Sequence, residues 1–327
     1  MKKLLLARAG IGGLAIAAIA FTVVGFPTTT SAAPTGCPAG NFPDLSTSVG
    51  AGAGYAKPTI SASCAGNVLT VKSNGMISYP FVPKTPNSLK AQDWTWTIPV
   101  SPTVAKSSTA INTKMGTIGF TVTGIPIYGP MEGSQPAAEA FGDPIYNGIL
   151  DSCGGHTGPA SEYHDHYLGL DVQCNLTQRK VLGYALDGFP IYNSVGCLNA
   201  ACTKTATFKS GYIQTAVPKM NAWSSYAFKS KQKGNVLDAC NGRIEPDGSY
   251  GYHATSTFPY IIGCYKGTPS TQAGRAAGAM PPMGSAAGGA PAGQQGPPGM
   301  GGQPGQPGQP GQPGQPGQPG QPAPRSA

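Results

Sequence analysis

Ser161 to Leu170 read SEYHDHYLGL and hold two of the chain's four histidines, His164 and His166, with Asp165 between them and tyrosines on either side. On an extended strand, side chains alternate between faces. His164 and His166 therefore share one side, while Tyr163, Asp165 and Tyr167 take the other. Two imidazoles on one strand face are a common metal-ligand pair that a third ligand from another loop can complete. An all-imidazole set suits copper or zinc rather than calcium or magnesium. The other two histidines, His156 and His253, are the candidates for completing it.

Comparing the chain with itself ranks them. IGFTVTGIPIYGP (118–130) recurs as LGYALDGFPIYNS (182–194), and LDSCGGHTGPASEYHDHY (150–167) recurs without a gap as LDACNGRIEPDGSYGYHA (237–254). Two matched blocks in one order point to a tandem duplication, with units at about 116–174 and 181–264. His166 and His253 are equivalent, whereas Arg243 and Gly251 stand where the first unit has His156 and His164. If the units pack about a twofold axis through this strand, His166 and His253 meet. The expected ligand set is therefore His164, His166 and His253, with His156 auxiliary.

The same repeat bears on the cysteines. There are eight, and no CxxC pair. An even number in an exported chain favours disulfides over a metal cluster. Equivalence of Cys153 with Cys240, and near-equivalence of Cys174 with Cys264, favours Cys153–Cys174 and Cys240–Cys264. Cys37–Cys64 and Cys197–Cys202 remain. A bridge between the equivalents, Cys153–Cys240, is the competing arrangement. Asp151 and Asp238 precede the matched cysteines and read as turn or capping residues.

Hydrolytic chemistry has weaker support. There is no Gly-x-Ser-x-Gly element. A histidine base could be formed from His164 or His166 with Asp151 or Asp187. An extracellular hydrolase and a non-catalytic surface or matrix module are thus the alternatives to a metal-binding domain.

These blocks together resemble the YHYH domain, a family of exported proteins named for a Tyr-His-Tyr-His signature. The resemblance covers most of 67–267, and the signature falls on Tyr163, His164, Asp165 and His166, with Asp165 in place of the second tyrosine. It implies a fold and a site location; it brings no established activity.

The elements that must position these residues are mainly β. Short β-rich runs are bounded by turn residues. NVLTVKSNGMISYPF reads as a hairpin about Ser73-Asn74-Gly75, and DWTWTIPV as a half-buried strand. Short helices are expected only near SQPAAEAFG and AWSSYAFKS. The fold class is a pseudo-duplicated β domain with long disulfide-stabilised loops and few short helices. The second unit is longer between its blocks by 23 residues, an insertion that carries six lysines and no acid.

Three segments are expected. Residues 1–32 have the basic start, apolar run and small-residue end of a cleavable signal peptide. Residues 33–267 form the β domain. Residues 268–327 form a Gly/Pro/Gln-rich tail too poor in apolar side chains to fold, read as a spacer. Cleavage would remove Lys2, Lys3 and Arg8 and lower the formal charge from +8 to +5. That is a mild excess that argues against a nucleic-acid partner and leaves a cell-surface or matrix polymer as the partner class. The mature chain is expected to be secreted, periplasmic or held at the cell surface, with no membrane span.

Overall fold

The computed structural model describes residues 36–133, 141–169, 172–176 and 180–271. The expected signal peptide and nearly all of the expected tail lie outside them. The described strands, in chain order, are β1 (Ile60–Ala65), β2 (Val68–Ser73), β3 (Trp94–Pro99), β4 (Thr109–Ala110), β5 (Thr117–Thr121) and β6 (Pro126–Tyr128). They continue with β7 (Gly155–Thr157), β8 (Tyr163–Asp165), β9 (Val181–Ala185), β10 (Pro190–Tyr192), β11 (Val195–Cys197) and β12 (Thr205–Thr207). The last are β13 (Tyr212–Gln214), β14 (Tyr226–Phe228), β15 (Gly242–Ile244), β16 (Tyr250–His253) and β17 (Cys264–Tyr265). The fold is mainly β, as expected.

Two sheets matter for the site. β1, β2 and β3 form an antiparallel three-stranded sheet. The other sheet has eight strands in the order β15-β16-β10-β9-β5-β6-β8-β7. Its pairing reads alike from either end. An antiparallel pair (β7 with β8, β15 with β16) lies parallel to the second strand of a hairpin (β5–β6, β9–β10). The two hairpins meet at the antiparallel β5·β9 contact.

The shared Gly-x-Pro-Ile-Tyr motif explains the hairpins. Gly124 and Gly188 adopt φ +85° and +90°, a left-handed conformation that glycine takes without Cβ strain. Each amide closes a turn, Gly124 onto the Thr121 carbonyl and Gly188 onto that of Ala185. Pro-Ile-Tyr then runs on as β6 or β10.

The core lies between the two sheets. Trp94 and Trp96 point inward from β3 on alternate positions, and Trp96 stacks on Phe120 of β5 with ring centroids 4.7 Å apart. Leu69, Val71, Ile98, Ile118, Leu182 and Ile191 surround them, all essentially buried. DWTWTIPV is therefore the half-buried strand its alternation predicts. A smaller cluster of Met76, Ile77, Tyr79, Tyr163, Cys153 and Cys174 sits apart from this core. It backs the strand that carries the histidines.

Two local expectations are revised. The hairpin turn is at Gly66-Asn67 between β1 and β2, where Ala65 pairs with Val68. Ser73-Asn74-Gly75 instead ends β2, because the Asn74 side chain bonds back to Thr59 and Lys57. The short helix expected near AWSSYAFKS is a single 3-10 turn, Trp223–Ser225, and the chain then runs on as β14, where Tyr226 stacks on Phe258 at 4.2 Å. Aromatic packing and pairing with β13 outweigh the weak helical pattern. SQPAAEAFG lies largely outside the described residues. The lysine-bearing insertion folds as two hairpins, β11–β12 and β13–β14.

The disulfides are Cys37–Cys64, Cys153–Cys174, Cys197–Cys202 and Cys240–Cys264. This is the pairing that the repeat favours, with each unit closed on itself.

Candidate metal centre

Each functional side chain comes from a short element at the β7 end of the large sheet. β7 and β8 pair with His156 opposite His164. Asp151 fixes the turn that starts this hairpin: its Oδ1 accepts the amides of Cys153, Gly154 and Gly155 at 2.9, 3.1 and 3.3 Å. Its Oδ2 accepts the Tyr163 hydroxyl at 2.7 Å. Tyr79 donates to the Tyr163 oxygen at 2.9 Å, so the back of β8 is pinned to the smaller apolar cluster. Asp151 is thus a turn and tyrosine anchor.

The alternation of β8 sends His164 and His166 to the opposite side from Tyr163. There they meet His156, with ring centroids 4.6 Å apart for His156–His164, 5.2 Å for His156–His166 and 4.9 Å for His164–His166. A fourth group joins them from the segment after β6. Glu132 Oε1 lies 2.9 Å from His166 Nε2 and 3.2 Å from His156 Nε2, and the Nε2 atoms of His156 and His164 are 2.9 Å apart. One ligand atom from each of Glu132, His156, His164 and His166 lies within 4.8 Å of every other. Tyr128 of β6 stacks on His164 at 3.9 Å, nearly parallel.

The protons define what this cluster needs. The Gly129 carbonyl can only accept, so His166 Nδ1, 2.6 Å away, carries the hydrogen. In neutral His166 the Nε2 lone pair then faces the Glu132 carboxylate at 2.9 Å, acceptor against acceptor. A shared proton or a metal ion would resolve the contact. A proton on His166 would serve that one contact, whereas a metal ion would serve all four converging atoms at once. Burial, then the neighbouring His156 and His166, push the His164 imidazole well below its ordinary value, so a second proton is disfavoured. Burial alone would raise the Glu132 carboxyl, but His166 and His156 outweigh it and hold the group well below the usual carboxylate range. Glu132 Oε1 and His166 Nε2, both buried, make no hydrogen bond of good geometry.

Asp165 has a different role. It lies on the Tyr163 side of the strand, where burial first, then the Asp151 charge, push its carboxyl well above the ordinary range. It stands apart from the converging imidazoles.

His253 is not part of this cluster. β16 and β8 are near opposite ends of the eight-stranded sheet, because the like-paired halves meet at β5·β9 rather than at the histidine strands. The expectation that His166 and His253 meet is thereby overturned. His253 contacts Glu245 Oε1 at 2.7 Å and the Asn193 carbonyl at 2.6 Å. His156 and Glu132 stand where His253 was expected. Glu132 carried no pattern of its own, yet one signal was available. The chain has only 13 acids, and Glu132 follows closely on the repeated Gly-x-Pro-Ile-Tyr block.

A mostly β, disulfide-closed domain with a buried three-histidine, one-carboxylate cluster is the class defined so far. The YHYH protein family model matches residues 95–267, just over half of the chain, and the chain belongs to this family. The match includes all four clustered residues. It begins within β3, so β1, β2 and the Cys37–Cys64 bridge lie outside it. No curated protein and no solved structure matches the chain. Among the described residues, no helix is long and apolar enough to cross a membrane.

One glycine tests how tightly the hairpin must close. A Cβ on Gly155 would strike the Tyr163 ring and come within 2.5 Å of the His164 carbonyl and 2.6 Å of Asp165 Oδ1. Gly155→Ala is expected to lever β7 off β8, separate His156 from His164 and weaken metal affinity by roughly 10–100-fold, the cost of disturbing ligand support. Isothermal titration with zinc is the check. An affinity equal to wild type would show that the hairpin geometry does not set the site.

Proposed function

We propose that this YHYH protein is an exported, disulfide-stabilised domain that binds one transition-metal ion, zinc or copper(II), through Glu132, His156, His164 and His166. The observation that carries the reading is the convergence of four buried or part-buried donor groups, in which two further imidazole nitrogens join the His166–Glu132 contact at one point. Imidazole with one carboxylate is a donor set these ions accept. The ion would supply a fixed positive charge that neutralises Glu132 and ties β7, β8 and the segment after β6 together. The near-complete burial of the three histidines favours a structural ion. Export is supported by the signal-like residues 1–32 and by four disulfides. The Gly-Gln-Pro tail is read as a spacer that holds the domain near a surface or matrix. The two halves are read as copies of one unit, supported by the matched sequence blocks and the mirrored pairing order.

The test is elemental analysis of the purified domain after loading with zinc or copper and desalting. One equivalent is expected, and a large loss in Glu132→Ala. Less than a tenth of an equivalent, by order of magnitude, would end the metal reading.

A further inference from the structure

The far end of the large sheet repeats the histidine–carboxylate contact and completes it without converging imidazoles. His253 Nδ1 donates to the Asn193 carbonyl at 2.6 Å, as His166 Nδ1 does to Gly129, and Asn193 is the repeat counterpart of Gly129. His253 Nε2 lies 2.7 Å from Glu245 Oε1, as His166 Nε2 lies 2.9 Å from Glu132 Oε1. Asp238 anchors this end as Asp151 anchors the other, accepting the amides of Cys240 and Gly242 and the Tyr250 hydroxyl. Tyr250-Gly251-Tyr252-His253 carries both tyrosines and the last histidine of the family signature and lacks only the first histidine.

The differences fall on the remaining positions. Where β7 has His156, β15 has Arg243, whose Nη2 lies 2.9 Å from Glu245 Oε2 and donates to the Cys197 carbonyl at 2.7 Å. The Arg243 guanidinium also lies 4.0 Å from the centroid of the Phe208 ring. Where β8 has His164, β16 has Gly251, and the Tyr192 ring fills the space that a Cβ there would enter. The carboxylate even arrives by another route. Position 196, the counterpart of Glu132, is a glycine whose Cβ would come within 2.9 Å of His253 Cε1, and Glu245 from the end of β15 takes over.

We infer that Arg243 is a built-in cation that neutralises the Glu245 carboxylate, as a bound metal ion would neutralise Glu132. This rests on the metal reading of the first half. The physical logic is common to both ends: a buried carboxylate needs a positive charge with several bonds to give. A guanidinium meets that need permanently, being charged at every working pH and able to fork between two acceptors. A metal ion meets it only while bound. The chain therefore takes one ion rather than two, and ion loss loosens the β6–β8–β7 end of the sheet while the β10–β16–β15 end keeps its own clamp.

Hydrogen–deuterium exchange on the full chain tests this, using zinc-loaded and chelator-stripped protein. Stripping is expected to speed exchange across 155–166 by at least about tenfold and to leave 242–253 unchanged. Arg243→Met is expected to speed exchange across 242–253 by at least about tenfold, with zinc or without it, and to leave the zinc equivalent intact. If Arg243→Met does not fold, Arg243→Lys, which keeps the charge and loses the fork, should give the same regional effect at smaller amplitude. Two zinc equivalents in the native chain, or equal loosening of both ends on stripping, would overturn the inference. Zinc binding with no regional effect of either Arg243 variant would end this inference alone. No zinc binding at all would end the first-half reading and the equivalence with it.

Discussion

Chelation of the native domain is expected to lower its melting temperature by roughly 10 °C, and the double variant His164→Ala with His166→Ala should show no response to chelator. An ion present at about a thousand times its dissociation constant stabilises the folded state by about 4 kcal/mol. For a domain of this size each kcal/mol moves the midpoint by about 2–4 °C. The effect is large because four ligand atoms from three separate segments meet at one point: Glu132 after β6, His156 on β7, and His164 and His166 at β8. Without the ion, the Glu132 carboxylate keeps its charge only by drawing a proton onto an imidazole, in a place where burial and neighbouring imidazoles oppose protonating His164. Differential scanning calorimetry with and without chelator measures both arms. An equal chelator shift in the native and double-variant proteins would place the ion elsewhere.

The second large effect concerns Asp151. Asp151→Ala is expected to destabilise the domain by about 3 kcal/mol, on the scale of hydrogen bonds to a charged group that leave buried partners behind. The carboxylate accepts three consecutive amides at the start of the β7–β8 hairpin and the hydroxyl of buried Tyr163. Loss of that anchor frees the turn before His156 and the back of the strand that carries His164, so metal affinity should fall together with stability. Asp238→Ala is the matched control. It removes the corresponding bonds to Cys240, Gly242 and Tyr250 and should cost a similar amount, yet leave zinc affinity at the native value under conditions where the variant is folded. Denaturant melts with parallel zinc titrations separate the two variants. Equal loss of affinity in both would mean that the two ends of the sheet are coupled.

How much was legible beforehand depends on the range over which each interaction acts. The alternation of Tyr163, His164, Asp165 and His166 is a local property of extended backbone, and it correctly divides imidazoles from Tyr163. The pairings Cys153–Cys174 and Cys240–Cys264 were favoured by the matched sequence blocks, in which the cysteines occupy like positions. The turn at Ser73-Asn74-Gly75 was misplaced because a glycine after asparagine suits a hairpin in isolation. Here the Asn74 side chain binds Thr59 and Lys57 across the sheet edge instead. AWSSYAFKS is helical only at Trp223–Ser225 for a related reason: its later aromatic residues find β13 and Phe258, partners that no local window contains.

By itself the sequence determined the β class and the strand face that presents His164 and His166, and it favoured Cys153–Cys174 and Cys240–Cys264 without excluding Cys153–Cys240. Each follows from backbone periodicity or from the repeat, and both are read along the chain. Only the tertiary structure decided which other groups join that face. Strand order sent His253 toward the far end of an eight-stranded sheet, brought His156 across from β7, and delivered Glu132 from a segment with no motif to announce it. A ligand set is a convergence in space, and the order in which strands pair is set by the burial of whole faces rather than by the residues that the site will use.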